Sequence, residues 1–260
     1  MIISTTVYKD RNTVEPGLQL VDPTTAGGVQ PLGLTGYTLQ FSDEFSGGSL
    51  DALKWDTHYP NWDIFNVQDP GGNTTNTNNS CSNQPGQVSV ASSNVVLKAE
   101  HTTTIAGLPY TSGMIQSLKS YAISPGSFVE ASFKLSDVHD VIWPAFWASN
   151  SATNQWPPEV DVMEHFGTGS GVLMNIFYGT GTEESNAFTV DTLLNYHTYG
   201  AKWNTNGLFD FYIDGVKRSS STHAMSGSMY LILDLATRIN IGTVPASPIT
   251  MSIDYVRAWT

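Results

Sequence analysis

Charged side chains are scarce in this 260-residue chain: Asp, Glu, Lys and Arg together make up 13%. The basic ones are scarcest, 11 against 23 acidic, which leaves a formal net charge of −12. With its Lys and Arg scattered singly, such a chain repels a phosphate backbone, so no nucleic acid is expected as partner. Cysteine is nearly absent. Cys81 stands alone, so no disulfide can close within the chain, and the redox compartment stays open. No apolar run approaches the ~20 residues that span a bilayer, so no membrane partner is expected. The opening "MIISTTVYKDRN" lacks a basic stretch followed by a long apolar one, and does not read as a signal peptide.

Long segments of helical period are missing as well. Gly, Ser, Thr and Asn are abundant, and they favour turns and half-wet pleated surfaces over helices. Residues 1–36, with "VEPGLQLVDPTTAGGVQPLGLTG", are rich in Pro, Gly and Thr and have no clear period. They read as an extended arm or linker, and residues 37–260 as a single domain. Within that domain "SLDALKW" is expected to form a short helix capped by Ser49. Residues 66–87 are expected to form a long polar loop. Ten or more strand-like runs follow, separated by turn signals. "YIDGVK" carries Asp214-Gly215, the strongest hairpin signal in the chain. The pattern predicts an all-β sandwich without a fixed-period repeat.

One run stands out. "WPPEVDVMEHFG", Trp156–Gly167, reads as core yet holds Glu159, Asp161 and Glu164. Side chains of a strand alternate between faces, so Glu159 and Asp161 share one face. Glu164 lies at odd offsets from both and would point the other way. One extra residue near Val162–Met163, a β-bulge, returns it to the common face. Two plainer readings compete. Pro157-Pro158 followed by acids could open a helix, although a helix would separate Glu159 and Asp161 by about 200° and the valines oppose it. A solvent-facing strand could also carry acids merely for solubility, but three of them framed by Trp143, Trp147 and Trp156 argue otherwise.

Convergence would bring together the parts needed for glycoside hydrolysis with retention: two carboxyls ~5–5.5 Å apart flanking the scissile bond. Glu159 then attacks the anomeric carbon, and Glu164 protonates the leaving oxygen and later activates water. Asp161, between them, orients the nucleophile and raises its neighbours' pKa by its charge. The segment "EVDVME" resembles the Glu-x-Asp-x-x-Glu signature of glycoside hydrolase family 16, in the bulged, laminarinase-like form. "WPAFW" and "HTYGAKW" occur in matching order, and the likeness extends over about residues 37–260. The resemblance implies a β-jelly-roll of two curved antiparallel sheets with a concave cleft, and the same roles for the three acids. It also implies an endo-acting enzyme, secreted and monomeric, with a polysaccharide as its partner, most simply a β-1,3-glucan of the laminarin type.

Aromatic rings stack on the flat C–H faces of sugars, so Trp143, Trp147, Trp156 and Trp203 are candidates for the cleft. Any one of them could equally serve the core of a sandwich. The resemblance favours Trp143 and Trp203 and adds Phe211. His165 and His197 read as structural, and the six histidines show no paired ligand spacing. No cofactor is expected for catalysis. The resemblance does imply a structural Ca2+ held by backbone carbonyls near the first strand, in the stretch where Glu44 lies, and by an Asp of the last strand, matched by Asp254. Other readings stay open: a galactan hydrolase of the agar or carrageenan type, a transglycosylase on the same scaffold, or a non-catalytic carbohydrate-binding jelly roll.

Overall fold

Alternating runs of apolar and polar residues become strands because each strand can then bury one face. The computed structural model describes residues 18–59, 66–68, 74–76, 81–105, 108–150, 156–238 and 244–260. Among them nineteen strands build two sheets. The larger sheet begins with β1 (Leu39–Asp43), β2 (Asn66–Gln68), β3 (Thr74–Asn76), β4 (Cys81–Asn83), β5 (Val88–Ala91), β6 (Asn94–Ile105) and β7 (Leu108–Ser112). It is completed by β10 (Phe128–Leu135), β15 (His197–Trp203), β16 (Phe209–Ile213), β17 (Val216–Ser220) and β19 (Ile249–Trp259). The smaller sheet holds β8 (Met114–Gln116), β9 (Ala122–Ile123), β11 (Ile142–Asn150), β12 (Glu159–Glu164), β13 (Gly171–Gly179), β14 (Thr182–Thr189) and β18 (Met229–Thr237). Its order is β14-β13-β12-β11-β18, with β8 and β9 both paired to β18. The acidic strand β12 is therefore interior, flanked on both sides. No helix among the described residues is long and apolar enough to cross a membrane.

The main core lies between the sheets. Phe133, Leu97 and Ile253 of the larger sheet pack there with Phe146, Val160, Met174 and Leu233 of the smaller, all nearly or fully buried. Gly113 marks the point where the chain leaves β7 for β8 and so changes sheets. Its N–H donates to the Lys98 carbonyl and its own carbonyl accepts from Leu235. A side chain there would collide with the Gln87 carbonyl, so the crossing demands glycine. At the hairpin predicted from "YIDGVK", Asp214 and Gly215 both take positive φ, 51° and 73°, as a two-residue turn between β16 and β17 requires.

Residues 18–36 run without regular structure against the larger sheet, on the face away from the main core. Val29, Leu34 and Tyr37 pack on Phe128, Tyr212 and Trp259. The Trp259 indole N–H donates to the Val29 carbonyl at 2.9 Å, and the Leu32 N–H donates to buried Glu130 at 2.9 Å. Residues 1–17 lie outside the described residues.

Two expectations for secondary structure fail. "SLDALKW" makes a single turn, not a helix. Leu53 N–H is held by the Asp51 carboxylate, and Trp55 N–H by the Asp51 carbonyl. The next residues are then pulled onto β1: Lys54 Nζ donates to the Ser42 carbonyl at 2.7 Å, and Trp55 Nε1 to Asp43 at 2.7 Å. Those side-chain bonds leave no room for a second turn. The expected loop at 66–87 instead carries β2, β3, β4 and a 3-10 turn at Pro85–Gln87; residues 69–73 and 77–80 fall outside the described residues.

Candidate active site

Strand β12 meets β11 with Ser149 opposite Glu159, Ala148 opposite Val160 and Trp147 opposite Asp161. The register then slips, so that Phe146 faces Met163 and Ala145 faces Glu164. The same slip appears against β13, between the pairs Asp161–Asn175 and Glu164–Leu173. Val162 is the extra residue, which makes this the bulge that the odd spacing of the acids requires. As a result Val160, Val162 and Met163 all enter the core at 0% exposure. Glu159, Asp161 and Glu164 turn to the opposite face. The energetics favour this choice. Each apolar side chain gains about 1.5–3 kcal/mol on burial, whereas a regular strand would drive the Glu164 carboxylate among apolar groups at a cost of several kcal/mol.

On their own face the three acids line a cavity of about 360 Å³. Cross-strand pairing fixes what surrounds them. From β11 come Trp143, Ala145 and Trp147; from β18, Asp234 and Ala236; from β13, Leu173, Asn175 and Phe177; from β14, Glu183 and Ser185. Tyr59, Trp156 and Phe166 close the walls. No Lys, Arg or His lines the cavity among the described residues.

A hydrogen-bond network sets the carboxyls in place. Trp143 Nε1 donates to Glu164 at 2.8 Å. Asn175 Nδ2 donates to both Glu164, at 2.6 Å, and Asp161, at 3.1 Å, and its oxygen accepts from Ser185 at 2.6 Å. Asp161 and Glu164 are also hydrogen-bonded to each other, and Trp156 donates to Glu159. Burial raises the pKa of all three acids above the ordinary carboxylate range. The next cause for Glu159 and Asp161 is the negative charge of Glu164, whereas hydrogen bonds from Trp143, Asp161 and Asn175 partly offset the rise at Glu164. Three desolvated carboxyls this close cannot all be ionised near neutrality, so the cluster retains at least one proton and titrates as a unit. A group that holds a proton beside a group that has lost one is suited to acid–base and nucleophilic chemistry.

Of the expected aromatic residues, Trp143, Trp147 and Trp156 line the cavity. Trp203 and Phe211 do not. They are 0% and 1% exposed, on the inward faces of β15 and β16, and belong to the main core between the sheets. A ring enclosed on both faces cannot stack on a sugar. The sequence reading missed Asp234, Tyr59, Asn175, Phe166 and Phe177. Asp234 was discoverable as the sole charge in "MYLILDLAT", and Asn175 as a polar break in "GVLMNIFYG".

His165 is buried, with each ring nitrogen facing a carbonyl, of Gly171 and of Gly167. His197 joins Asp214 and Asp191 at 2.7 Å each, away from the cavity. Near the first and last strands, the Glu44 carboxylate expected beside a calcium site is already engaged. Both carboxylate oxygens of Glu44 are taken by Arg257, at 2.8 and 2.7 Å, and one also accepts from Thr25. Asp254 is exposed, at a slip in the register between β10 and β19. The Glu44 side chain is therefore committed to Arg257, and a cation there would draw on backbone carbonyls and Asp254. No group of three or more His, Cys, Asp or Glu suited to a metal occurs among the described residues.

The sequence model described as Glycosyl hydrolases family 16 matches residues 75–259. Among curated proteins, the chain is 32% identical over 164 residues to the endo-1,3-1,4-beta-glycanase ExsH of Rhizobium meliloti, covering 60% of this chain and 35% of that protein. It is 27% identical over 271 residues to the glucan endo-1,3-beta-glucosidase A1 of Niallia circulans, covering 87% and 38%. The chain thus spans little more than a third of the length of these relatives. In fold it resembles the catalytic domain of an endo-1,3-beta-glucanase (laminarinase) from Thermotoga petrophila, with a TM-score of 0.72, 22% identity, and coverage of 86% and 98%.

Proposed function

The chain belongs to glycoside hydrolase family 16, and from that premise we propose that it is an endo-acting, retaining hydrolase of a β-linked glucan. The observation that carries the reading is the bulge at Val162, which brings Glu159, Asp161 and Glu164 to one wall of an open cavity. In this reading Glu159 attacks the anomeric carbon while Glu164 gives its proton to the leaving glycosidic oxygen. The bond from carbon to that oxygen breaks, and a glycosyl ester of Glu159 remains. Glu164, now ionised, takes a proton from water, and the water oxygen displaces Glu159 with a second inversion, so the configuration is kept overall.

The surroundings position each group. Asp161 is hydrogen-bonded to Glu164, which ties the acid/base to the acid between it and the nucleophile. Burial, then the charges of Glu164 and Asp234, raise the Glu159 carboxyl, and the Trp156 hydrogen bond partly offsets that rise in favour of the ionised nucleophile. Trp143 and Asn175 hold Glu164 in one orientation through both of its oxygens, which keeps the donor aimed at a single point.

Substrate choice follows from the lining. Five carboxylates, Glu159, Asp161, Glu164, Glu183 and Asp234, face the cavity without a basic residue among its described walls. A sulfated or carboxylated chain would meet uncompensated repulsion there; a neutral one would not. The lining thus favours a neutral chain, and the name of the Niallia circulans relative, a glucan endo-1,3-beta-glucosidase, supports assigning a neutral β-1,3-glucan of the laminarin type. The name of the Rhizobium relative, an endo-1,3-1,4-beta-glycanase, extends the assignment to β-linked chains of mixed 1,3-1,4 linkage. A polymeric substrate of this kind is met outside the cell, which supports action as a secreted enzyme.

The test is a digest of laminarin, lichenan, agarose and carrageenan with product lengths followed over time. Laminarin should give a spread of short oligosaccharides early, lichenan a slower release, and the two galactans none. Preferential cleavage of carrageenan, or of no glycan in the panel, would overturn the assignment.

A further inference from the structure

Asp234 is a buried carboxyl group lining the cavity wall for which the double displacement provides no task. It sits in β18, a strand whose nine residues are all buried, and it is the only charged one among them. It is 4% exposed, and the cavity takes up what remains open. Among the described residues no Lys or Arg reaches it. Its hydrogen-bond donors are both uncharged: Trp147 Nε1, 3.0 Å from Oδ1, and the Tyr59 hydroxyl, 3.4 Å from Oδ2. A carboxylate has about four lone-pair positions, so acceptor capacity is left over. Burial raises the Asp234 carboxyl well above the usual range, so the fold bears a cost to keep it. An apolar side chain, like those of Ile232 and Ala236 on the same face, would avoid that cost.

The register says what the carboxylate faces. Ala145 of β11 pairs with Glu164 on one side and with Asp234 on the other. Along β11, on the same face, Ala145 lies between Trp143 and Trp147. The methyl group therefore floors a hollow with an indole at each end and a carboxyl at each side. Each indole N–H holds the carboxyl nearest it, Trp143 to Glu164 and Trp147 to Asp234. Two inter-strand spacings put the backbones that carry the two carboxyls about 10 Å apart. A sugar ring seated on the Ala145 methyl would have one carboxyl on either side, each within the lining of the same cavity.

Resting on the glucanase reading above, we infer that Asp234 is a substrate-binding residue: it accepts hydrogen bonds from the hydroxyls of the glucose unit seated over Ala145, on the side of the ring away from Glu164. The alternative is that Asp234 only steadies Trp147 and Tyr59, and the two roles separate in experiment. The probe is laminaritetraose, and the reference protein is Glu159→Gln, which can bind without turning over. Affinity is measured by calorimetry, together with a thermal melt, for that protein and for the same protein carrying Asp234→Ala or Asp234→Asn. The alanine variant should bind at least about 10-fold more weakly, because a charge-assisted hydrogen bond to a hydroxyl is lost. The asparagine variant, which keeps an acceptor for Trp147, should fold normally and bind a few-fold more weakly. Affinity unchanged in the asparagine variant, and in the alanine variant where it folds, overturns the inference alone. A reference protein that binds no laminaritetraose overturns the glucanase reading, and this inference with it.

Discussion

Replacing Asp234 by Asn should make the protein more stable at neutral pH, and the gain should vanish in acid. The wild-type carboxyl is raised from an ordinary 3.8 to about 7, first by desolvation, then by the charge of Glu164, against the hydrogen bonds from Trp147 and Tyr59. The folded state therefore holds that proton more tightly than the unfolded chain does. Its contribution to stability is complete below about pH 4 and is lost as pH rises through about 7. A shift of roughly three units at 1.36 kcal/mol each corresponds to about 4 kcal/mol lost between pH 4 and pH 8. Asn has no proton to lose and keeps an oxygen for Trp147. The variant should match the wild type at pH 4 and melt about 8–16 °C above it at pH 8, using about 2–4 °C per kcal/mol for a domain of this size. Relief of repulsion on Glu159 and Glu164 acts in the same direction. The assay is calorimetric melting of both proteins across that range. A difference in Tm that stays constant from pH 4 to pH 8 would refute the reasoning.

Trp143→Phe keeps a ring in the cleft but removes the indole N–H that donates to Glu164 at 2.8 Å. That bond favours the ionised form of Glu164, so its loss should move the alkaline limb of the kcat/KM profile on laminarin upward and lower the maximum on the order of 10-fold; an unchanged profile would count against the network. Gly113→Ala should lower stability by about 3 kcal/mol or more, because the new methyl meets the Gln87 carbonyl where β7 passes into β8. A thermal melt reads this directly, and an unshifted Tm would show that the crossing has slack.

The site's main device was legible in the sequence because it is local. Six residues, EVDVME, carry both the demand for convergence and the odd spacing that only a bulge reconciles. The aromatic residues were harder, because a strand's parity says which residues share a face but not which face of which sheet they share. Trp143 and Trp147 lie on the open face of β11, while Trp203, on β15, falls between the sheets. The local alternation looks the same in both cases. Asp234 was hidden for another reason. Eight apolar or small neighbours make β18 read as a fully buried strand, and a single carboxylate there acquires meaning only when Trp147, Tyr59 and Ala145 arrive from distant segments. The same holds for "SLDALKW": its composition suits a helix, but Lys54 and Trp55 find partners on β1 that no local rule anticipates.

The central claim is that Glu159 and Glu164 act from opposite sides of one glycosidic bond, one as nucleophile and the other as acid/base. Proton NMR of a fresh laminarin digest measures this through the anomer released first. The account predicts that the β anomer appears first and the α anomer grows in only by mutarotation. Initial release of the α anomer would mean a single displacement, and would contradict the roles given to both glutamates.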